Sequence, residues 1–446
     1  MINTFAPIWV HMIIESIDKK LSKVLLFLII MYSLICIGDS INPAQAISKD
    51  EELSSRIYGY RNDEKSPQVV TFDLPSIDDL KNNTNTVAVK SIDELIAEAN
   101  TYLRLKPASV MDKNMLPPSG DKHDFLSLAP FRWPDNSKAG GIPYTYRDGK
   151  INPEVFSIPD RANLGKMIER VKILSVAYYY TDNIVYASKA SELIRVWFLN
   201  NNTNMNPNLQ YAEVITGKDN GTSSGIIAAS YLPDVLDSIT IIHESSAWTD
   251  EDHVMVQRWF GKYLDWLLNS EFGKKESKQL NNHGTWLDVQ TSSIALFLDK
   301  REIVEGILNK YINGKIAAII QTDGSQPFET HRQTSLDYHI FNLRGLFYLA
   351  QVAERAGIDL WNYETSQGAG LQMALDYLLP YTMGEETWPH KQTKPIKMHE
   401  LHILLCQGTE HYEDNERYLR SLRLLNQNVS SQINALLYGC LNGLEH

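Results

Sequence analysis

From about residue 163 onward, apolar side chains recur at the three- and four-residue intervals of one helix face, in runs separated by short polar breaks. The pattern predicts helices near 163–181, 184–200, 224–243, 250–270, 284–298, 301–319, 335–356 and 369–382, with more toward the end. Thr181-Asp182 and Thr249-Asp250 supply helix caps, and Gly357 a stop. An earlier helix, 92–105, is marked by Ile92, Leu95, Ile96, Ala99 and Leu103. Strand-like alternation is scarce. Antiparallel helices on short links, without a fixed-period repeat, predict an all-α fold: an α/α toroid, or incomplete barrel of helix hairpins, in preference to an open solenoid. The segment 107–159 is instead dense in Pro, Gly and aromatic residues, as a long loop or lid over a site would be.

The N-terminus carries a different signal. Lys19, Lys20 and Lys23 precede an apolar stretch, 24–37, followed by Pro43 and Ala44-Gln45-Ala46, which reads as a secretory signal peptide cleaved after Ala46. The stretch is shorter than the ~20 residues that span a bilayer, and no comparable run follows it. The expected organisation is a signal peptide (1–46), a polar lead-in (47–90) and one helical domain (91–446), exported to the periplasm or secreted, with no stable membrane span in the mature chain.

Of 446 residues, 42 are Lys or Arg and 54 are Asp or Glu, a net charge of −12 with no block of like charge. A nucleic-acid partner held by a global positive field is therefore excluded, and a polyanion must be met by basic residues gathered in one cleft. Cys36, Cys406 and Cys440 form no C-x-x-C pair, and the sequence leaves open whether Cys406 and Cys440 bridge. His399-Glu400-Leu401-His402 has i, i+3 spacing instead of that of H-E-x-x-H, so it reads as a solvated helix face; no metal and no cofactor are expected. P-loop and dinucleotide fingerprints are lacking.

Four polar clusters carry candidate chemistry. The first runs Ser119-Gly120-Asp121-Lys122-His123-Asp124, then Arg132-Trp133 and Tyr144; cations beside rings can bind an acidic sugar, the charges meeting carboxylates and the rings stacking on apolar sugar faces. The second is Asn206-Pro207-Asn208-Leu209-Gln210-Tyr211, a polar loop. The third is Asn281-Asn282-His283-Gly284-Thr285-Trp286, where an Asn can cap a helix whose N-terminus favours an anion. The fourth is Asp323-Gly324-Ser325-Gln326-Pro327-Phe328-Glu329, then Arg332, Tyr338 and His339. If one helix runs through them, Arg332 and His339 share a face; if the helix starts near Thr334, Arg332 lies in the preceding loop and can converge with Tyr338.

These four phrases, in this order and with Tyr338-His339-Ile340-Phe341-Asn342-Leu343, resemble the alginate lyase superfamily of polysaccharide lyases over about residues 90–385. The resemblance implies a toroidal, exported protein that cleaves an acidic polysaccharide of uronates by metal-independent β-elimination. It implies Asn282 and Arg332 as the groups that neutralise the substrate carboxylate and Tyr338 as the acid. The resemblance further implies Tyr338 as the base for one substrate stereochemistry and His283 as the base for the other or as a carboxylate-binding group, and it leaves open which of the two is the base here. Acting as a base would require cations, Arg332 foremost, to depress the Tyr338 pKa. Lys122, His123, Trp133, Tyr144, Asn208, Tyr211, Trp286 and His339 are the expected substrate-binding residues. Two departures from the family pattern, Thr334 in place of a second basic residue and Gly221-Thr222-Ser223-Ser224-Gly225 in place of a Gly-Arg-Gly-like stretch, leave the polymer open among alginate, glucuronan and other uronates. The competing readings are a glycoside hydrolase using two of Asp124, Asp288, Asp323 and Glu329, and a non-catalytic glycan-binding protein. Oligomeric state is not legible.

Overall fold

A computed structural model describes residues 70–72, 74, 86–413, 415–426, 433–438 and 440. Every described residue belongs to one compact unit, Lys65–His446. The expected signal peptide lies outside the described residues.

The helices follow the apolar periodicity closely. They are α1 (Thr86–Leu103), α2 (Asp160–Thr181), α3 (Ile184–Ile194), α4 (Pro233–Ile242), α5 (Asp250–Asn269), α6 (Glu271–Glu276), α7 (Asn282–Phe297), α8 (Arg301–Lys310), α9 (Ile316–Ile319), α10 (Ser335–Arg355), α11 (Leu371–Thr382), α12 (Met398–His411), α13 (Glu416–Asn426) and α14 (Ile433–Leu437). Two expected helices are broken. The 224–243 run is a tight 3-10 stretch over Ser223–Ala229 before Pro233 opens α4, proline being suited to a first helical turn. The 301–319 run is interrupted by a wide turn, Tyr311–Lys315, where Gly314 has φ +144°. The short α6 has too few residues to show a period and escaped the sequence pattern.

Helices pack as neighbours: α1 on α2, α2 on α3 and α4, α4 on α7, α7 on α10, α10 on α12, and α14 back on both α12 and α1. Their shared core includes Trp197, Phe260, Tyr263, Leu346 and Phe347, all buried. Burying a Leu or Phe side chain contributes roughly 1.5–3 kcal/mol. The apolar stretch Ser223–Ile242 is long enough to cross a membrane by length and composition alone, but most of it is buried inside this core. Phe72 joins the core too, and the Asp237 carboxylate accepts the N–H groups of Val70 and Thr71 at 2.9 and 2.5 Å, so part of the lead-in is built into the helical unit. A Cys406–Cys440 disulfide ties α12 to the C-terminal segment.

The 107–159 segment holds three short strands, β1 (Leu126–Leu128), β2 (Arg132–Trp133) and β3 (Thr145–Tyr146). β2 and β3 pair antiparallel, Arg132 opposite Tyr146; β1 pairs parallel with β4 (Tyr211–Val214). The polar stretch 399–402 is not a solvated face. His402 is buried, and Glu400 accepts the Tyr231 hydroxyl at 3.1 Å and lies 3.6 Å from the buried Arg344.

Candidate active site

The N-terminus of α7 supplies one wall. Asn281 caps it, its side chain accepting the His283 N–H at 3.1 Å. Asn282 is buried, and the anion at this helix end is internal: Glu329 accepts the Asn282 backbone N–H at 2.6 Å and its side-chain amide at 3.0 and 2.9 Å. The Asn282 amide hydrogens are thus committed to Glu329, which corrects the expectation that they face a substrate carboxylate. Asn282 Oδ1, also buried, has no hydrogen-bond partner. Burial raises the Glu329 carboxyl to about 7, only partly opposed by the Asn282 bonds and by the Arg332 and His283 charges. Near neutrality this carboxyl is poised to hold or release a proton.

His283 turns its other side to α6. Its Nδ1 lies 2.7 Å from Glu276 Oε1, and Glu276 is buried. A carboxylate only accepts, so Nδ1 carries the hydrogen, and in the neutral ring Nε2 then holds the lone pair.

Arg332 and Tyr338 form a second part. The helix α10 starts at Ser335, so Arg332 sits in the loop before it and the second of the two helical registers holds. Arg332 Nη2 donates to the Tyr338 hydroxyl at 2.5 Å, and its guanidinium carbon lies 3.6 Å from the Tyr338 ring centroid. The loop is fixed from both ends. Gln326 donates to the His339 carbonyl and accepts from Asn342, anchoring the turn to α10, and Gly324 sits where a Cβ would come within 2.3 Å of the Met373 carbonyl. On the other side Asp148, just after β3, accepts from Arg332 at 3.0 Å, from the Gln333 N–H at 2.9 Å and from the Tyr146 hydroxyl at 3.0 Å. Burial pushes Asp148 up, but Arg332 and Gln333 hold it below the ordinary carboxylate range. For Tyr338 burial wins: desolvation drives its pKa up to about 12 against the pull of Arg332, with Asp148, Tyr146 and Glu329 adding to the rise. The pull of Arg332 is outweighed, so the expected net depression does not result and Tyr338 holds its proton at neutral pH.

The other expected residues are scattered in role. Trp286 is fully buried, stacked on Phe341 with its indole N–H on the Phe341 carbonyl, so its ring cannot meet a sugar. His339 is also fully buried, its Nδ1 2.8 Å from the Ser335 carbonyl and its pKa lowered to about 4 by desolvation. Both are core residues, a correction to the sequence reading. His123 and Asn208 belong to a clasp between the first two clusters: His123 Nδ1 lies 2.6 Å from the Asn204 carbonyl, and Asp124 accepts from Ser119 at 2.6 Å, Asn206 at 2.8 Å and Asn208 at 3.4 Å. Lys122, beside them, is half-buried. Trp133 donates to the Lys150 carbonyl under the Arg147 guanidinium, Tyr144 donates to Glu154, and Tyr211 pairs with Leu126. The carboxylates needed by a hydrolase are engaged elsewhere: Asp124 in the clasp, Asp288 with Tyr311 and Lys315, Asp323 on the Ser325 N–H, Glu329 on Asn282. Among the described residues no cluster of His, Cys, Asp and Glu could hold a metal ion.

Sequence reasoning missed Asp148 and Glu276, and gave Glu329 a role only in the hydrolase reading, though it stands in the fourth cluster. Asp148 lies 184 residues from Arg332, beyond any local pattern; Glu276 lies on a helix too short to be seen.

The sequence model of the alginate lyase family matches residues 109–388. The crystal structure of an alginate lyase from Bacteroides ovatus is similar with a TM-score of 0.78 and 30% identity, covering 84% of this chain and 99% of that one. Alginate lyases of Pseudomonas syringae pathovars tomato and syringae are 28% identical over 112 residues, so the match spans 25% of this chain and only 29% of those relatives.

Proposed function

This chain belongs to the alginate lyase family, and from that premise we propose that it is a polysaccharide lyase cleaving an alginate- or glucuronan-type uronate polymer by metal-independent β-elimination. The observation that carries the reading is the Tyr338 hydroxyl held at 2.5 Å by Arg332, whose charge, like that of His283, acts on the Glu329 bound to Asn282. Elimination removes the C5 proton, which becomes feasible when the adjacent carboxylate is neutralised and the developing enolate is stabilised. Arg332 supplies positive charge there. His283 Nε2 takes the C5 proton. Tyr338, protonated and with its oxygen accepting from Arg332, gives its proton to the departing glycosidic oxygen, leaving a 4,5-unsaturated uronate end.

The same reading closes the helices into an α/α toroid, supported by the return of α14 onto α1. It also places the protein in the periplasm or outside the cell, where a Cys406–Cys440 disulfide persists. The test is ultraviolet absorbance on alginate, polymannuronate, polyguluronate and glucuronan with chelator present. A rise marks the new double bond and identifies the polymer; new reducing ends without absorbance would overturn the proposal in favour of a hydrolase.

A further inference from the structure

We infer that Glu276 is a positioning residue for the elimination: through Nδ1 of His283 it sets the ring orientation and tautomer that aim the Nε2 lone pair into the cleft. The inference rests on His283 acting as the base. Glu276 itself touches no substrate.

The geometry supporting it is built from several elements. Glu276 is 2% exposed, yet its carboxylate meets His283 Nδ1 at 2.7 Å, and His283 is only half-buried, so the ring bridges a closed interior and an open face. A buried carboxylate is costly unless it is bonded, and this one is placed against an imidazole, where it accepts a hydrogen and stabilises the imidazolium that proton abstraction creates. The backbone is pressed together to bring the two side chains into contact. A Cβ on Gly273 would lie 1.7 Å from the Leu267 carbonyl oxygen, and one on Gly284 would lie 2.0 Å from the Gln279 carbonyl oxygen. Glycine at both positions lets the α5–α6 turn and the α6–α7 junction close up, so that α6, a helix of six residues, delivers Glu276 beneath the first turn of α7. Asn281, capping α7 through the His283 N–H, fixes the backbone from which the imidazole projects. The charged groups around this ring are Glu276 from α6 and, from the loop before α10, Glu329, itself flanked by Arg332.

A carboxylate on one imidazole nitrogen does two things for the other. It selects the tautomer in which the far nitrogen is unprotonated, and it stabilises the positive charge formed as that nitrogen takes a proton. A Gln at 276 keeps the length and can still accept a hydrogen, but lacks the charge; an Ala loses both. Glu276→Gln is therefore expected to lower kcat several-fold and Glu276→Ala on the order of 10- to 100-fold, part of the ~10²–10⁴ that general base catalysis supplies. KM should change little, because the polymer is bound by other groups. Glu276→Asp, which keeps the charge but draws it back, should fall between the two.

The test is a set of steady-state measurements on the full chain carrying Glu276→Gln, Glu276→Asp and Glu276→Ala, each also in a His283→Ala background, with the thermal midpoint recorded for each. Positioning predicts that the kcat losses vanish once His283 is absent. Losses that persist undiminished in the His283→Ala background, or folded Gln and Ala variants with wild-type kcat, would overturn the inference. Long-range proton–nitrogen spectra of histidine-labelled protein, with the His283 signal assigned from His283→Ala, read the pair without using activity. They should show the Nδ1–H tautomer in the wild type and a mixture in Glu276→Gln; an Nε2–H tautomer in the wild type would overturn it. If no uronate polymer is cleaved but the spectra come out as expected, the lyase reading fails while the pairing stands, so the two failures are distinguishable.

Discussion

Arg332 lies face-on to Tyr338, its guanidinium carbon 3.6 Å from the ring centroid and its Nη2 donating to the hydroxyl oxygen at 2.5 Å. The cation therefore orients the phenol and occupies one acceptor position on its oxygen, leaving the hydrogen free to be given away. With its pKa pushed up to about 12, Tyr338 is an acid across the neutral range. Tyr338→Phe should lower kcat by about 10²–10⁴-fold, the usual contribution of a positioned acid, with the thermal midpoint nearly unchanged. Turnover of any uronate polymer near the wild-type rate would remove Tyr338 from the mechanism.

Asp148 competes for the same guanidinium. It accepts from Arg332 at 3.0 Å and holds the Gln333 N–H at 2.9 Å, so a substrate carboxylate approaching Arg332 meets a carboxylate already there. Asp148→Asn keeps an acceptor for Gln333 and removes the charge. The expected result is a KM lower by about five-fold, equivalent to ~1 kcal/mol for one partly exposed pair, whereas Arg332→Ala should raise KM. A higher KM in Asp148→Asn would show that the pair is needed to hold Arg332 in place.

Glu329 links the site to stability. Its folded pKa, about 7, stands above its ordinary 4.5, so the folded protein binds this proton more tightly than the unfolded chain. The contribution is complete below about pH 4.5 and is lost as pH rises through about 7. Urea unfolding of the wild type and Glu329→Gln across pH 4.5–8 should show the wild type losing on the order of 1–3 kcal/mol relative to the variant over that window. Parallel curves would mean that Glu329 is ionised throughout.

The Cys406–Cys440 disulfide closes a loop of sequence separation 34. Loop-closure entropy assigns such a bridge about 3–4 kcal/mol, so a double Cys→Ala variant should unfold at clearly lower urea concentration. An unchanged midpoint would show that packing of α14 on α1 and α12 suffices to hold the C-terminal segment.

The sequence by itself determined where the helices lie, because apolar periodicity is a local property: α2, α5, α7 and α10 begin and end within a few residues of their expected limits. It also singled out Asn282, His283, Arg332 and Tyr338, through phrases shared with a family. Tertiary packing alone decided what those residues touch. Trp286 and His339 stand in the right phrases, but helix packing turns both rings into the core. Glu329 accepts from Asn282 across 47 residues, and Asp148 reaches Arg332 across 184. Glu276 meets His283 because two glycines let three backbone segments close together. Periodicity records which face of a helix is apolar; which charge faces which across a cleft depends on how distant segments are brought together, and that is set only when the core is packed.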